Sequence, residues 1–172
     1  MEGEYTQLVA DCRRRDRRAM RKLYEAAAPM ALGVCMRYCH NREDAQDVMQ
    51  EGFVKAFERL KELRDPERLM QWIYKLMVNE CLLHLRSKCP EGLMEDMGME
   101  PVTLPVDPFA NEEIVLAIQR LTPSQRAVFN LVDVEGYTSE EAAEALGVQR
   151  NNVMSTLSKA RAALRTLLTE KR

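Results

Sequence analysis

Along most of the chain apolar residues recur at spacings of three and four, and no strict apolar–polar alternation persists between turn dipeptides, so the pattern predicts helices without a sheet: an all-α protein. The clearest stripe is Val153, Leu157, Ala160, Leu164 and Leu167, with polar side chains around the rest of that helix. Two capping boxes precede it. Thr122-Pro123-Ser124-Gln125 joins a capping threonine, a proline at the first helical position and a glutamine three residues on, opening a helix through Val128, Phe129 and Val132 that Gly136 stops. Thr138-Ser139-Glu140-Glu141 opens a second, short helix that buries Ala142, Ala143 and Leu146, ends at Gly147, and hands over to the final helix near Gln149. In the first half, Asn41 is a good cap. Glu43 and Asp44 suit the positive end of the following helix, whose buried side is Met49, Gly52, Phe53, Ala56 and Leu60. Residues 61–67 read as a loop around Pro66, and a long helix from about 68 to 88 sets Leu69, Ile73, Leu76, Met77 and His84 on one side. No internal repeat is evident.

Composition divides this helical chain in two. Of the seven prolines, four (Pro90, Pro101, Pro105, Pro108) fall with Gly92 and Gly98 in a stretch that cannot hold a helix and reads as a linker. The formal charge of -2 hides the same division: residues 1–88 hold 17 basic and 14 acidic side chains, residues 114–172 hold 8 and 6, and residues 89–113 hold seven acids and no base. We therefore expect two small helical domains, 1–88 and 111–172, joined by a flexible acidic linker over 89–110. The first 16 residues carry four acids and an arginine cluster without an apolar run, so no signal or transit peptide is expected there. The most apolar stretch, residues 26–36, contains Pro29 and is far shorter than the roughly 20 residues a membrane span needs, so a cytoplasmic chain without membrane insertion is expected. Five cysteines lack the spacing of a disulfide scaffold and fit reduced thiols. Cys35, Cys39 and His40 could be read as metal ligands, but free cysteine usually packs as a small hydrophobe and no second ligand pair accompanies them, so no metal is assigned.

A capped short helix, a glycine turn and a longer helix with one apolar stripe are the ingredients of a DNA-reading helix-turn-helix. By helical angle Asn151, Ser155, Ser158 and Lys159 project away from the stripe, with Arg150, Asn152 and Thr156 near the N-terminal end. Asparagine can pair with an adenine edge, serine and threonine with either kind of base, Met154 could touch a thymine methyl, and Lys159, Arg161 and Arg165 suit phosphates. A plain helical hairpin with a solvated face is the alternative. The run from Gly136 through Tyr137, Thr138, Glu141, Ala142, Leu146, Gly147 and Val148, followed by Val153, Ser155, Leu157, Ala160 and Arg161, resembles region 4 of extracytoplasmic-function sigma factors, which recognises the minus-thirty-five promoter element. The same local pattern also occurs in response-regulator output domains.

The first half separates these possibilities. Asp47, Gln50 and Glu51 cluster opposite the buried side of their helix as exposed acceptors, either simply solvated or offered to a partner with basic or amide donors. The string from Asp44 through Asp47, Gln50, Glu51, Phe53, Ala56 and Phe57 resembles sigma region 2.2, which in that family grips the clamp helices of the polymerase largest subunit. On the long helix, Gln71, Lys75, Asn79 and Arg86 form a polar stripe without an acid, suited to following a phosphate backbone, and Trp72 beside it could stack an unpaired base or pack in the core. The segment Met70, Gln71, Trp72, Ile73, Tyr74 to Asn79 resembles regions 2.3 and 2.4, and the resemblance assigns Lys61, Arg64 and Arg68 to the loop that opens the minus-ten element, with Asn79 contacting its edge. The Arg13 to Arg18 cluster reads as a solvated helix face, with auxiliary phosphate contact as the lesser alternative.

Taken together, the chain resembles an extracytoplasmic-function sigma factor over roughly residues 5–88 and 110–170. The resemblance implies core RNA polymerase and promoter DNA as partners, an anti-sigma factor that holds the chain inactive, and no cofactor. Extended, the 25 residues of the acidic stretch 89–113 reach at most about 80 to 90 Å, enough to set two promoter-reading domains on one polymerase, and the acidity suggests mimicry of nucleic acid in a basic channel. The recognition helix departs from the family: Asn151 and Asn152 replace the usual glycine and threonine, Met154 a base, and Thr156 an arginine. Fewer phosphate contacts mean weaker DNA binding away from polymerase. The rival reading is a helix-turn-helix regulator that never joins polymerase, and it has no need of the Asp47, Gln50, Glu51 face. A helical interaction module is a second rival. Two histidines outside any convergent motif and no glycine-rich phosphate loop leave nothing to assign as catalytic machinery.

Overall fold

The computed structural model describes residues 3–88 and 113–169. The acidic proline-containing stretch, and with it Cys89, lies outside the described residues. All regular structure among the described residues is helical: α1 (Glu4–Arg13), α2 (Arg17–Tyr38), α3 (Arg42–Arg59), α4 (Leu69–Lys88), α5 (Glu113–Arg120), α6 (Pro123–Phe129), α7 (Ser139–Leu146) and α8 (Arg150–Thr169). No described helix is long and apolar enough to cross a membrane. The chain falls into two compact units, one formed by the described part of residues 1–35 with 42–81, the other by 36–41 with the described part of 82–172. The ends of α2 and α4 thus belong to the second unit, a division that a boundary at residue 88 does not follow.

In the first unit the periodic apolar positions close around one core: Val9 from α1, Leu23, Ala27 and Val34 from α2, Val48, Phe53 and Ala56 from α3, and Leu69, Ile73 and Met77 from α4 are all nearly or fully buried. Asp16 opens α2 by accepting from the Ala19 N–H at 2.8 Å. Gly52 lets α3 approach α4 closely, since a Cβ built there would lie 2.5 Å from the Met77 sulfur. One turn on, Lys55 Nζ meets Glu80 Oε2 at 2.5 Å, giving the mostly buried Glu80 its counter-charge. Cys35 and Cys81 are core side chains whose sulfurs touch at 3.7 Å.

The second unit gathers Ala117, Ile118 and Leu121 of α5 and its end against Ala160, Leu164 and Leu167 of α8, with Phe129 packed alongside. Its buried polar groups are largely paired. Gln119 Nε2 donates to the Met36 carbonyl at 3.0 Å, and Asn130 Nδ2 donates to the carbonyls of Arg37 and Arg126, both at 2.9 Å, so side-chain amides hold the end of α2 within this unit. After α6 the chain widens into a π turn, Asn130–Val134, closed by the Glu135 N–H on the Asn130 carbonyl at 2.8 Å.

Candidate nucleic-acid interface

In the first unit α3 begins directly after Asn41, carries Glu43 and Asp44 in its first turn, and buries Ala45, Val48, Met49, Gly52, Phe53 and Ala56. Three and four residues apart on its outer side, Asp47, Gln50 and Glu51 are all exposed. The segment after α3 is more ordered than a plain loop. It makes a 3₁₀ turn at Leu60–Glu62, buries Leu63, and makes a second 3₁₀ turn at Pro66–Arg68, which Asp65 caps by accepting from the Glu67 N–H at 3.1 Å. Arg59 pairs with Glu62 at 2.9 Å, and this hydrogen bond holds the Glu62 carboxyl below its ordinary range. Arg13 reaches across from α1 and donates to the carbonyls of Leu60 at 3.2 Å and Leu63 at 2.6 Å, fixing the segment from behind.

That segment and α4 enclose an open cavity of about 330 Å³ lined by Leu63, Arg64, Asp65, Arg68, Gln71, Trp72 and Lys75. Three cations face one acid, and the acid is already engaged, Asp65 lying 3.5 Å from Arg68. Trp72 is half-buried, its ring part of the wall, while Gln71, Lys75 and Asn79 stand exposed one turn apart along α4. Positive charge beside an aromatic wall suits an unpaired base and its phosphate.

In the second unit both capping boxes form: Thr122 with Gln125, and Thr138 with Glu141. Glu141 accepts from the Thr138 N–H at 2.8 Å, and this backbone bond holds its carboxyl below the usual value. Helix α7 ends at Gly147 in the left-handed conformation, φ 67°, with the Val148 N–H returning to the Ala143 carbonyl at 3.0 Å. Two residues later α8 opens and buries Val153, Leu157, Ala160, Leu164 and Leu167. Asn151, Ser155, Ser158, Lys159 and Arg161 are exposed and Asn152 is half-buried. Two of the cations are engaged. Arg150 meets Glu140 of α7 at 2.6 Å, and Arg161 grips Asp133 of the π turn through two bonds at 2.9 and 2.7 Å, which raise the guanidinium pKa further.

Two family models match the chain in this order: sigma-70 region 2 over residues 23–89 and sigma-70 region 4 over residues 111–164. Between them they cover well over half of the chain. It belongs to the sigma-70 family. Among similar proteins, the RNA polymerase sigma-H factor of Pseudomonas aeruginosa is 28% identical over 174 residues, covering 92% of this chain and 90% of the relative. The extracytoplasmic-function sigma factor SigM of Mycobacterium tuberculosis is 34% identical over 132 residues, 73% of this chain and 65% of the relative. A crystal structure of the sigma factor RpoE in complex with the anti-sigma factor NepR from Bartonella quintana has a TM-score of 0.53 at 20% identity, covering 88% of this chain and 98% of that one, a likeness of fold. The match to region 2 favours the sigma-factor reading over that of a helix-turn-helix regulator.

Within this sigma factor the expected residues fall unevenly. Arg64, Arg68, Trp72 and Lys75 gather around the cavity and Asn79 continues that side of α4, whereas Lys61 lies on the first 3₁₀ turn and is not among the cavity's lining residues. Arg86, counted with the same stripe, belongs to the second unit, where its guanidinium donates to the Ala145 carbonyl. Thr156 leaves the recognition face altogether: it is 2% exposed, and its hydroxyl is buried without a hydrogen-bond partner, because at 300° from Val153 and 100° from Leu157 it lies on the shoulder of the buried stripe. His84 is half-buried rather than part of the core. Arg13, read as one of a solvated cluster, is instead the brace behind the 3₁₀ segment. Lys55 and Glu80, which tie α3 to α4, were likewise outside the expected set. Both contacts join residues too far apart in sequence, 47 to 50 and 25 positions, for periodicity to reveal.

Proposed function

We propose that this sigma factor binds core RNA polymerase through its first domain, residues 1–88, and directs initiation at particular promoters, reading and melting the minus-ten element with that domain and recognising the minus-thirty-five element with the second, residues 111–172. The observation that carries the reading is the cation-lined cavity against Trp72, next to a helix whose outer side presents Asp47, Gln50 and Glu51. Acids and amides on one helix and cations with an aromatic wall on the next are an arrangement for two different partners, a basic protein surface and an opened nucleic acid. Asp47, Gln50 and Glu51 are assigned to polymerase. Lys61, Arg64, Arg68, Trp72, Lys75 and Asn79 are assigned to the minus-ten element, and Asn151, Asn152, Ser155, Ser158 and Lys159, with Arg150 and Arg161 once they exchange their carboxylates for phosphates, to the minus-thirty-five element. The polymerase makes the phosphodiester bonds, in the cytoplasm where it works. An anti-sigma factor as regulator belongs to the same proposal, supported by the NepR complex of the structural relative.

The test mixes the purified chain with core RNA polymerase and a genomic promoter library and sequences the transcript starts. Initiation at sites sharing two spaced motifs is expected, and Asp47→Ala with Glu51→Ala weakens core binding about tenfold or more, on the order of 1–2 kcal/mol. Polymerase binding without initiation would make the chain a modulator. No polymerase binding would leave an independent DNA-binding regulator.

A further inference from the structure

Resting on the assignment of α8 to the upstream promoter element, we infer that Met154 is a specificity residue that reads the C5-methyl group of one thymine. Among the described residues of α8, Met154 is the large hydrophobic side chain that stands exposed, at 47%, although its neighbours Val153 and Leu157 are buried. It lies in the second turn of the helix, one turn from Asn151 on one side and from Ser158 on the other, and next to Ser155, all of them exposed. An apolar group held out in the middle of a polar face, at the N-terminal end that enters the groove in a helix-turn-helix, calls for an apolar partner there. On the major-groove edge of ordinary DNA the thymine methyl is the apolar group on offer.

The cations of α8 point the same way. Reading guanine takes a guanidinium or ammonium free to bridge its two acceptors. Of the exposed cations of α8, Arg150 and Arg161 are instead held on Glu140 and Asp133, at 2.6 and 2.7 Å, and Lys159 and Arg165 lie beyond its first two turns. Thr156, which stands between Ser155 and Leu157, is turned into the core. What the first turns of the helix present is therefore amide, hydroxyl and thioether, a set matched to A·T pairs: asparagine to the adenine edge, methionine to the thymine methyl. The unbranched thioether can follow the methyl group without a demanding geometry.

The experiment uses the full chain with core RNA polymerase on a promoter at which it initiates, with each thymine of the upstream element replaced singly by deoxyuridine, which removes the methyl group and keeps every hydrogen bond. Binding of the holoenzyme is compared at fixed salt. At one position the deoxyuridine template is expected to bind about fourfold more weakly, the ratio that transfer of one methyl group from water supplies. Met154→Ala brings that ratio to about one, and Met154→Leu, which keeps an apolar side chain of similar volume, retains most of it. An upstream element without thymine, no deoxyuridine effect at any position, or an effect of equal size in Met154→Ala overturns the inference and leaves the sigma assignment standing. Loss of discrete start sites, or initiation indifferent to the upstream element, overturns the assignment and the inference together.

Discussion

Replacing Gly147 by alanine isolates the backbone term at the turn of the helix-turn-helix. The residue sits at φ 67° and ψ 34°, and a Cβ added there would meet nothing within 4 Å, so no packing clash enters the comparison. The left-handed conformation costs an L-residue roughly 1–2 kcal/mol. The smaller unfolded ensemble of alanine returns about 0.4–1 kcal/mol of this, leaving a net loss near 1 kcal/mol. Asparagine, which visits the left-handed region more readily, should lose only part of it, and valine, with its branched Cβ, more. Thermal unfolding should therefore rank glycine, asparagine, alanine, valine in falling order, with alanine about 4–8 °C below glycine for a unit of this size. Hydrogen exchange places the loss: amides of α7 and of the first turns of α8 should exchange roughly fivefold faster in Gly147→Ala, and those of α3 should not change. An alanine variant as stable as the parent, or an asparagine variant no better than alanine, would refute the argument that the turn is held in the left-handed region by glycine alone.

Thr156→Val replaces a buried hydroxyl that has no hydrogen bond by a methyl group of the same shape; it should stabilise the second unit by about 1 kcal/mol in denaturant unfolding and leave recognition of the upstream element unchanged, whereas a selective loss of that recognition would return Thr156 to the contact face. Glu141 is held below its ordinary value by the Thr138 N–H, so the stability it adds is complete above its unfolded-chain value near 4.5 and is lost as pH falls through the lower folded value. Acid unfolding of Glu141→Gln should accordingly lack that contribution, and an acid limb identical to the parent's would dissociate the cap from the pH dependence.

The parts of this fold that were legible in the sequence are those decided within four residues. Thr122 with Gln125 and Thr138 with Glu141 both close as capping boxes, Gly147 takes the left-handed turn, and the stripe from Val153 to Leu167 is buried, because cap, turn and stripe depend on residues one helical turn apart. The outer side of α3 was legible for the same reason. What the pattern could not give is the fate of a side chain that depends on a remote partner. Arg13 caps carbonyls from α1 across to the 3₁₀ segment, and Arg161 finds Asp133 because a π turn shifts that residue's place on the helix surface. Thr156 is polar in type and near the N-terminal end of α8, which points to the contact face, but it borders a stripe broad enough to take it in.

These remote pairings change how the second domain can hold DNA. Arg150 and Arg161 must exchange a carboxylate for a phosphate to join a DNA backbone, so the attraction gained at the phosphate is offset by the attraction given up at Glu140 and Asp133. Counterion release from the DNA still favours the exchange, but each exchanged cation contributes less than one that was free beforehand. With Arg150 and Arg161 engaged, Thr156 turned inward and Met154 in place of a basic residue, the charge α8 can offer to phosphates without an exchange comes down to the exposed Lys159 and Arg165. A domain of this kind works when a tether supplies the local concentration that its own affinity does not, and the proposed fastening of the first domain to polymerase, with the second on the same polypeptide, would supply that tether. On the proposed assignment, weak charge attraction and base-edge reading by amide, hydroxyl and thioether groups are then two sides of one arrangement, in which the second domain would discriminate among promoters that the polymerase has already brought near.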